Sequence, residues 1–102
     1  MRVRKYIKED GKAPFDKWFK SLDGSVKARV RARIKRIELT ENLGVHKQLG
    51  SIFEMKFTIA GGVRIYFGKD GDDLILLLLG GNKSNQQDDI NKAKEFWEDY
   101  NA

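Results

Sequence analysis

Three apolar segments in the second half of the chain limit the fold more than any other feature of the sequence. Apolar and polar residues alternate over residues 53–59 and again over 63–67, and Gly61-Gly62 lies between the two segments. A third segment, 74–79, is apolar without interruption and follows a turn signal at 69–72. Alternation is typical of half-buried strands, paired glycines of a hairpin turn, and a continuous apolar run of a strand buried on both faces. The sequence therefore predicts a three-stranded antiparallel meander.

Three other segments repeat their apolar residues at helical spacing. The first begins at Pro14 and ends at Asp23-Gly24, and the second runs over 26–41. The third follows a cap at Ser84 or Asn85, and its first turn contains two aspartates that favour the helix dipole. The joint between the first two helices is short enough for a helical hairpin.

We expect an α+β fold of one domain, residues 1–102. A short, imperfect strand at 2–7 joins the three-stranded meander in an antiparallel sheet. The N-terminal helical hairpin and the C-terminal helix cover one face of that sheet. His46 is placed in the loop before the meander.

The residue types exclude several classes of function. The chain has no cysteine and one histidine, which excludes a disulfide scaffold, a thiolate zinc site, a cysteine nucleophile and a multi-histidine metal site. No cofactor or metal is expected. The first ten residues have no apolar core, and residues 74–79 are too short to span a bilayer, so we expect no signal peptide, no membrane partner and a cytoplasmic protein.

Positive charge is concentrated in the first half of the chain. Residues 1–51 carry a net charge of +8, whereas residues 52–102 carry −3. Such a basic half favours a polyanionic partner, with nucleic acid as the leading candidate, although a solvated surface that only aids solubility has the same composition. The second helix holds the predicted RNA-binding residues: Lys27, Arg29, Arg31, Arg33, Lys35 and Arg36.

The polar residues of the meander share one face of the predicted sheet. Alternation directs them away from the apolar face, and adjacent strands place them side by side. Lys83, in the loop after the third strand, is expected at the rim of the same face. The group consists of Glu54, Lys56, Thr58, Arg64 and Tyr66. An ordinary polar outer face is the alternative interpretation.

This group has the chemistry that RNA cleavage requires. Attack by the ribose 2′-OH needs a base, cations for the phosphorane charge, and an acid for the leaving 5′-oxygen. Arg64 is suited to clamp a phosphate. Lys56 or Glu54 is the candidate base, and Tyr66 is a candidate to stack on a nucleobase or donate a proton.

Taken together, these motifs resemble the RelE/ParE superfamily of toxins from type II toxin–antitoxin modules. The resemblance covers nearly the whole chain and is strongest to the addiction-module killer-protein branch, which is HigB-like. The matching segments are Phe15-Asp16-Lys17-Trp18, Val30-Arg31-Ala32-Arg33-Ile34, Ile52-Phe53-Glu54-Met55-Lys56-Phe57, Gly62-Val63-Arg64-Ile65-Tyr66-Phe67, and Leu77-Leu78-Leu79-Gly80-Gly81-Asn82-Lys83-Ser84 followed by Gln86, Gln87 and Asp89-Ile90.

The resemblance implies a microbial-ribonuclease-like RelE fold and a toxin that cuts mRNA on the ribosome without a metal. It also implies a cognate antitoxin, a helix-turn-helix protein, as the neutralising partner. The branch usually has arginine, an aromatic residue and aspartate where this chain has Lys56, Val63 and Asn82. The residues carried over as catalytic are Lys56, Arg64 and Lys83. ParE-type members inhibit DNA gyrase without enzymatic activity, so a gyrase inhibitor and a plain nucleic-acid-binding module are the alternatives.

Overall fold

A five-stranded mixed sheet runs through the molecule, with helices on both of its faces. The structure is a computed structural model, and it describes residues 1–59 and 61–102. Within those residues no helix is both long and apolar enough to cross a bilayer. The elements in chain order are β1 (Arg2–Lys5), α1 (Pro14–Lys20), α2 (Gly24–Thr40), β2 (His46–Leu49), β3 (Ile52–Lys56), β4 (Arg64–Asp70), β5 (Leu74–Gly81), a 3₁₀ turn (Lys83–Asn85) and α3 (Gln86–Asn101).

The strand order β1-β5-β4-β3-β2 contains the predicted meander and confirms the α+β class. The strands from β2 to β5 pair antiparallel with their chain neighbours. The antiparallel prediction was wrong for β1, which pairs parallel to β5 with Arg2 opposite Leu74. Tight turns dictate antiparallel pairing only between consecutive strands, and α1 and α2 follow β1 in the chain, so no turn fixed its direction.

The loop predicted around His46 contains an additional edge strand, β2. Its four residues pair with β3, and only Leu49 among them is partly buried. Such a segment shows no apolar alternation, which explains why the sequence pattern missed it. The following strand is shorter than predicted, since β3 ends at Lys56 and Thr58 lies beyond it.

The prediction that all helices cover one face of the sheet was wrong. Phe15 of α1 and Val30 of α2 belong to one apolar core, whereas Ala93 of α3 belongs to a second core across the sheet. Alternate residues of β5 supply the two cores, with Leu77 in the first and Leu78 in the second. An apolar run without alternation needs cover on both sides, and α3 provides the second cover.

The predicted helical hairpin is matched only in part. Three residues connect α1 to α2, but α1 has seven residues and packs on β5 through Trp18. The cap of α2 is Asp23, whose carboxylate accepts a hydrogen bond from the backbone N–H of Val26 at 3.0 Å. Asn85 does precede α3, but its side chain makes no capping hydrogen bond.

Two glycines make room for indole rings on opposite faces of the sheet. A Cβ on Gly80 would lie 2.2 Å from Trp18 of α1, and a Cβ on Gly68 would lie 2.2 Å from Trp97 of α3. Both distances are much shorter than van der Waals contact, so a side chain would not fit at either glycine. Each helix therefore packs its tryptophan ring directly on the strand backbone.

We predict that Gly80→Ala lowers the free energy of unfolding by about 1–3 kcal/mol, because the added methyl group overpacks a filled space. Gly24→Ala is the control: a Cβ there meets no heavy atom within 4 Å, so this change should be neutral or stabilise by up to about 1 kcal/mol. Urea denaturation measures both. Equal midpoints for the two variants would contradict the packing described here.

Candidate functional site

Glu54, Arg64 and Tyr66 form a buried polar cluster beneath α3. The alternation of the strands predicted an open face for all three, and this expectation was wrong: Glu54 and Tyr66 are 0% exposed and Arg64 is 8% exposed. They do share one face of adjacent strands, since Glu54 lies opposite Tyr66 in the register. The beginning of α3 covers that face, which alternation within the strands did not reveal.

Glu54 lies at the centre of the cluster. Its Oε2 atom accepts a hydrogen bond from Nε2 of Gln86, at 2.8 Å, and lies 3.5 Å from Nε of Arg64. Its Oε1 atom lies 3.9 Å from Nζ of Lys47, the residue opposite it on β2. The carboxylate is thus in contact with two cations and with the first residue of α3. Lys47 and Gln86 were not predicted as site residues, although Gln86 belongs to a segment that carries the family resemblance.

Arg64 is held on two sides. Its Nη1 atom donates a hydrogen bond to the carbonyl of Gly62 at 2.7 Å, while its Nε atom faces Glu54. Gly62 has a φ of +85°, a conformation that favours glycine, and this turn brings its carbonyl to the guanidinium. Arg64 therefore has a fixed orientation at the start of β4.

Tyr66 remains a neutral phenol. Burial raises its pKa well above the ordinary value, and the charges of Glu54 and Asp89 raise it further. Its hydroxyl has no hydrogen-bond partner among the protein atoms of residues 1–59 and 61–102. The predicted roles of Tyr66 in base stacking or proton donation stay untested, but the ring is not accessible in this structure.

Asp89 joins the same region from α3. Its carboxylate lies over Gly81, the residue opposite Arg64 on β5. Burial raises its pKa, and the neighbouring Asp88 adds to the shift. The sequence pattern indicated only a helix-dipole role for Asp88 and Asp89, and it did not predict that Asp89 lies beside the cluster.

Lys56 and Lys83 are the exposed members of the predicted catalytic group. Lys56 lies opposite Arg64 in the register, and Lys83 lies in the 3₁₀ turn. The Cβ atom of Lys83 is 3.5 Å from the position of a Cβ built on Gly62. The 3₁₀ turn therefore places Lys83 beside the glycine whose carbonyl accepts a hydrogen bond from Arg64. The structure therefore brings Lys56, Arg64 and Lys83 to the same end of the sheet.

A cationic groove of about 660 Å³ lies between α2 and the end of β3. Its basic lining residues are Arg29, Arg33, Arg36 and Lys56, and its apolar lining includes Phe57 and Ile59. In the part of the chain that the structure describes, none of these four cations lies within ion-pair distance of a carboxylate. Uncompensated charges beside apolar surface suit a polyanion that also has rings to bury.

The six basic residues predicted to bind RNA fall into separate groups. Arg29, Arg33 and Arg36 line the cationic groove. Lys27 and Arg31 lie over the ring of Phe19, with cation-to-centroid distances of 6.0 and 5.0 Å. The sixth, Lys35, is exposed and does not line the groove.

Arg33 uses its guanidinium to bind backbone. It donates to the carbonyl of Leu43 at 3.0 Å, to that of Val45 at 2.6 Å, and to that of Lys56. The guanidinium also lies 4.5 Å from the centroid of the Phe57 ring. Burial lowers the pKa of Arg33, and the nearby Arg36 adds to this effect. Arg33 thus joins α2 to the loop at 43–45 and to the end of β3, a role that no local sequence pattern indicates.

Comparison with known proteins gives a relative without an assigned function. No protein-family model matches the chain. A protein of Haemophilus influenzae, described as uncharacterized, is 39% identical over 82 residues, which are 78% of this chain and 82% of that protein. The chain belongs to the same family as this protein. The description of this relative names no activity, so the function proposed below is argued from the geometry above and from the resemblance of the sequence.

We predict that Arg33→Ala lowers the free energy of unfolding by about 1–3 kcal/mol, because the partly buried carbonyl of Leu43 and the exposed carbonyls of Val45 and Lys56 lose a charged donor. Arg29→Ala, one turn away on the same helix, removes an exposed side chain and should change stability by no more than about 0.5 kcal/mol. Chemical denaturation of both variants makes the comparison. If Arg33→Ala is as stable as Arg29→Ala, the hydrogen bonds of Arg33 do not stabilise the packing of α2 against the loop at 43–45 and the end of β3.

Proposed function

We propose that this protein is a ribosome-dependent endoribonuclease toxin that cleaves mRNA and is neutralised by a partner antitoxin. The observation that carries the proposal is the set of uncompensated cations at one end of the sheet. Arg29, Arg36 and Lys56 line an open groove without carboxylate partners among the described residues, and Arg64 lies opposite Lys56. The resemblance of the sequence to RelE/ParE toxins supports the same conclusion.

The groove is suited to unpaired nucleotides. Phe57 and Ile59 lie among its cations, and the neighbouring Val45 is 73% exposed. Single-stranded RNA offers both phosphates and nucleobase faces, so it gains from charged and apolar contacts together. A duplex offers its phosphates but keeps its bases stacked.

The proposed reaction uses two exposed groups, Lys56 and Lys83, and the nearly buried guanidinium of Arg64 at the same end of the sheet. The ribose 2′-oxygen forms a bond to the adjacent phosphorus, and the bond from phosphorus to the 5′-oxygen breaks. This leaves a 2′,3′-cyclic phosphate and a free 5′-hydroxyl. Arg64 and Lys56 stabilise the negative charge of the phosphorane, and the ammonium of Lys83 supplies a proton to the leaving oxygen. Lys56 is the exposed candidate base: its neutral amine takes the proton of the 2′-OH, and the ammonium that results is the cation that faces the phosphorane.

Lys56→Gln should reduce mRNA cleavage and growth arrest by about tenfold to a thousandfold, because the variant loses a charge at the reacting phosphate. Lys56 is exposed and makes no ion pair in the described part of the chain, so the variant should fold normally. The control is Lys20→Gln, which removes another exposed charge at the end of α1. Primer extension on ribosome-bound mRNA measures cleavage directly.

Two outcomes would contradict the proposal. Growth arrest without any RNA cleavage by the wild-type chain would favour a target such as DNA gyrase. Full cleavage by Lys56→Gln, at the same expression as the wild type, would remove Lys56 from the site.

The basic residues of α2 allow a test with matched charge. The double variant Arg29→Gln/Arg36→Gln loses two groove cations, whereas Arg31→Gln/Lys35→Gln loses two cations of the same helix outside the groove. We expect the first to weaken ribosome association and to lower the slope of log affinity against log salt by about one unit per lost phosphate contact. The second should leave affinity and slope near those of the wild type. Co-sedimentation with ribosomes over a salt series measures both, and equal losses in the two variants would argue for diffuse attraction without a defined groove.

A further inference from the structure

We propose that Glu54 is a positioning residue, which orients Arg64 toward the scissile phosphate and links that orientation to the first turn of α3. This inference rests on the proposed function, because it assigns a role within the same site. It replaces the alternative in which Glu54 is the general base. Three features of the structure support it: the burial of Glu54, the way Arg64 is fixed, and the contacts of α3.

Burial separates Glu54 from any substrate. The residue is 0% exposed, and Gln86, Arg64 and Lys47 surround its carboxylate. A general base must lie within hydrogen-bond reach of the proton it removes. A carboxylate in this position reaches Arg64 but not a ribose bound at the surface.

The contacts of Arg64 leave one side of its guanidinium for a ligand. Nε faces Glu54, and Nη1 donates to the carbonyl of Gly62. Nη2 donates no hydrogen bond to the residues that the structure describes, and Lys83 lies beside the same turn. A guanidinium fixed by two contacts binds a phosphate without losing further side-chain freedom, which favours a short, directional contact.

The same carboxylate also holds the beginning of α3. Gln86 is the first residue of that helix and donates to Oε2, the oxygen that faces Arg64. One turn later, Asp89 lies over Gly81, opposite Arg64 in the sheet. A displacement of this helix end therefore changes the surroundings of Arg64, although α3 contributes no residue to the reacting phosphate.

Substitutions of Glu54 separate positioning from base catalysis. Glu54→Gln keeps a polar oxygen beside Nε of Arg64 but removes the ability to take a proton. For a positioning residue, we expect Glu54→Gln to retain cleavage within about tenfold of the wild type, whereas loss of a general base costs about a hundredfold or more. Glu54→Ala should lose cleavage more severely than Glu54→Gln. A hundredfold loss in Glu54→Gln, equal to that in Glu54→Ala, would overturn the proposal.

Gln86→Leu tests the link to α3 without changing the charge of the site. Its matched control is Gln87→Leu, since Gln87 is exposed and, among residues 1–59 and 61–102, its side chain bonds only to Asn91 of its own helix. We expect Gln86→Leu to lower cleavage severalfold while its ribosome association stays unchanged, and Gln87→Leu to match the wild type in both. Equal activity of the two variants would remove α3 from the mechanism.

An NMR measurement tests the geometry without requiring activity. The Nε–H resonance of Arg64 should show a rigid, slowly exchanging group in the wild type and in Glu54→Gln, and a mobile one in Glu54→Ala. If Glu54→Ala does not fold, because it leaves a buried guanidinium without a partner, the comparison of wild type with Glu54→Gln and Gln86→Leu remains. A wild-type chain that cleaves no RNA would refute the proposed function alone, whereas a mobile Arg64 in the wild type would refute the role of Glu54.

Discussion

The strand β5 is apolar on both faces, and this requirement for cover on two sides determines how the helices are placed. In β4 and β5, Ile65 and Leu77 are buried under α1 and α2, while Leu76 and Leu78 are buried under α3. Exposure of either set would leave a contiguous apolar surface in water, which monomeric proteins rarely carry. A sheet with this composition needs a helix layer on each side, and the chain supplies one layer between β1 and β2 and the other after β5.

The same requirement explains why charged residues are buried next to leucines. The helix that covers Leu78 also extends over Glu54 and Arg64 at the end of the sheet. Removing two charges from water is costly unless they are paired and hydrogen-bonded. Here the pair is incompletely satisfied, since Oε1 of Glu54 and Nε of Arg64 form no hydrogen bond with the described protein atoms. Replacement of such a pair by hydrophobic residues is often neutral or stabilising, so stability alone does not explain these charges, and the proposed positioning of Arg64 by Glu54 would account for them.

The sequence was informative wherever a local pattern determines the structure. Alternation identified β3 and β4, the continuous apolar run identified β5, and helical spacing identified all three helices. It failed where the deciding contact joins distant residues: β1 lies parallel to β5, and α3 covers the polar face.

For the site, the pattern grouped Glu54, Arg64 and Tyr66 correctly but predicted that they lie on an open face. Strand periodicity indicates which residues share a face of the sheet, but not which element covers that face. The carbonyl contacts of Arg33 join α2 to a loop and a strand, and no spacing along one element encodes them.

The close packing of the two indole rings against glycines has a consequence for how sequences of this family can diverge. Gly80 and Trp18 are far apart in the chain, as are Gly68 and Trp97. In each pair, the indole ring nevertheless fills the space that a side chain at the glycine would need. A larger residue at either glycine is tolerated only together with a smaller one in the facing helix. In members of the family, we therefore expect a larger residue at a glycine position to occur together with a smaller residue at the facing tryptophan position. Such paired changes would show from sequence how α1 and α3 lie against the sheet.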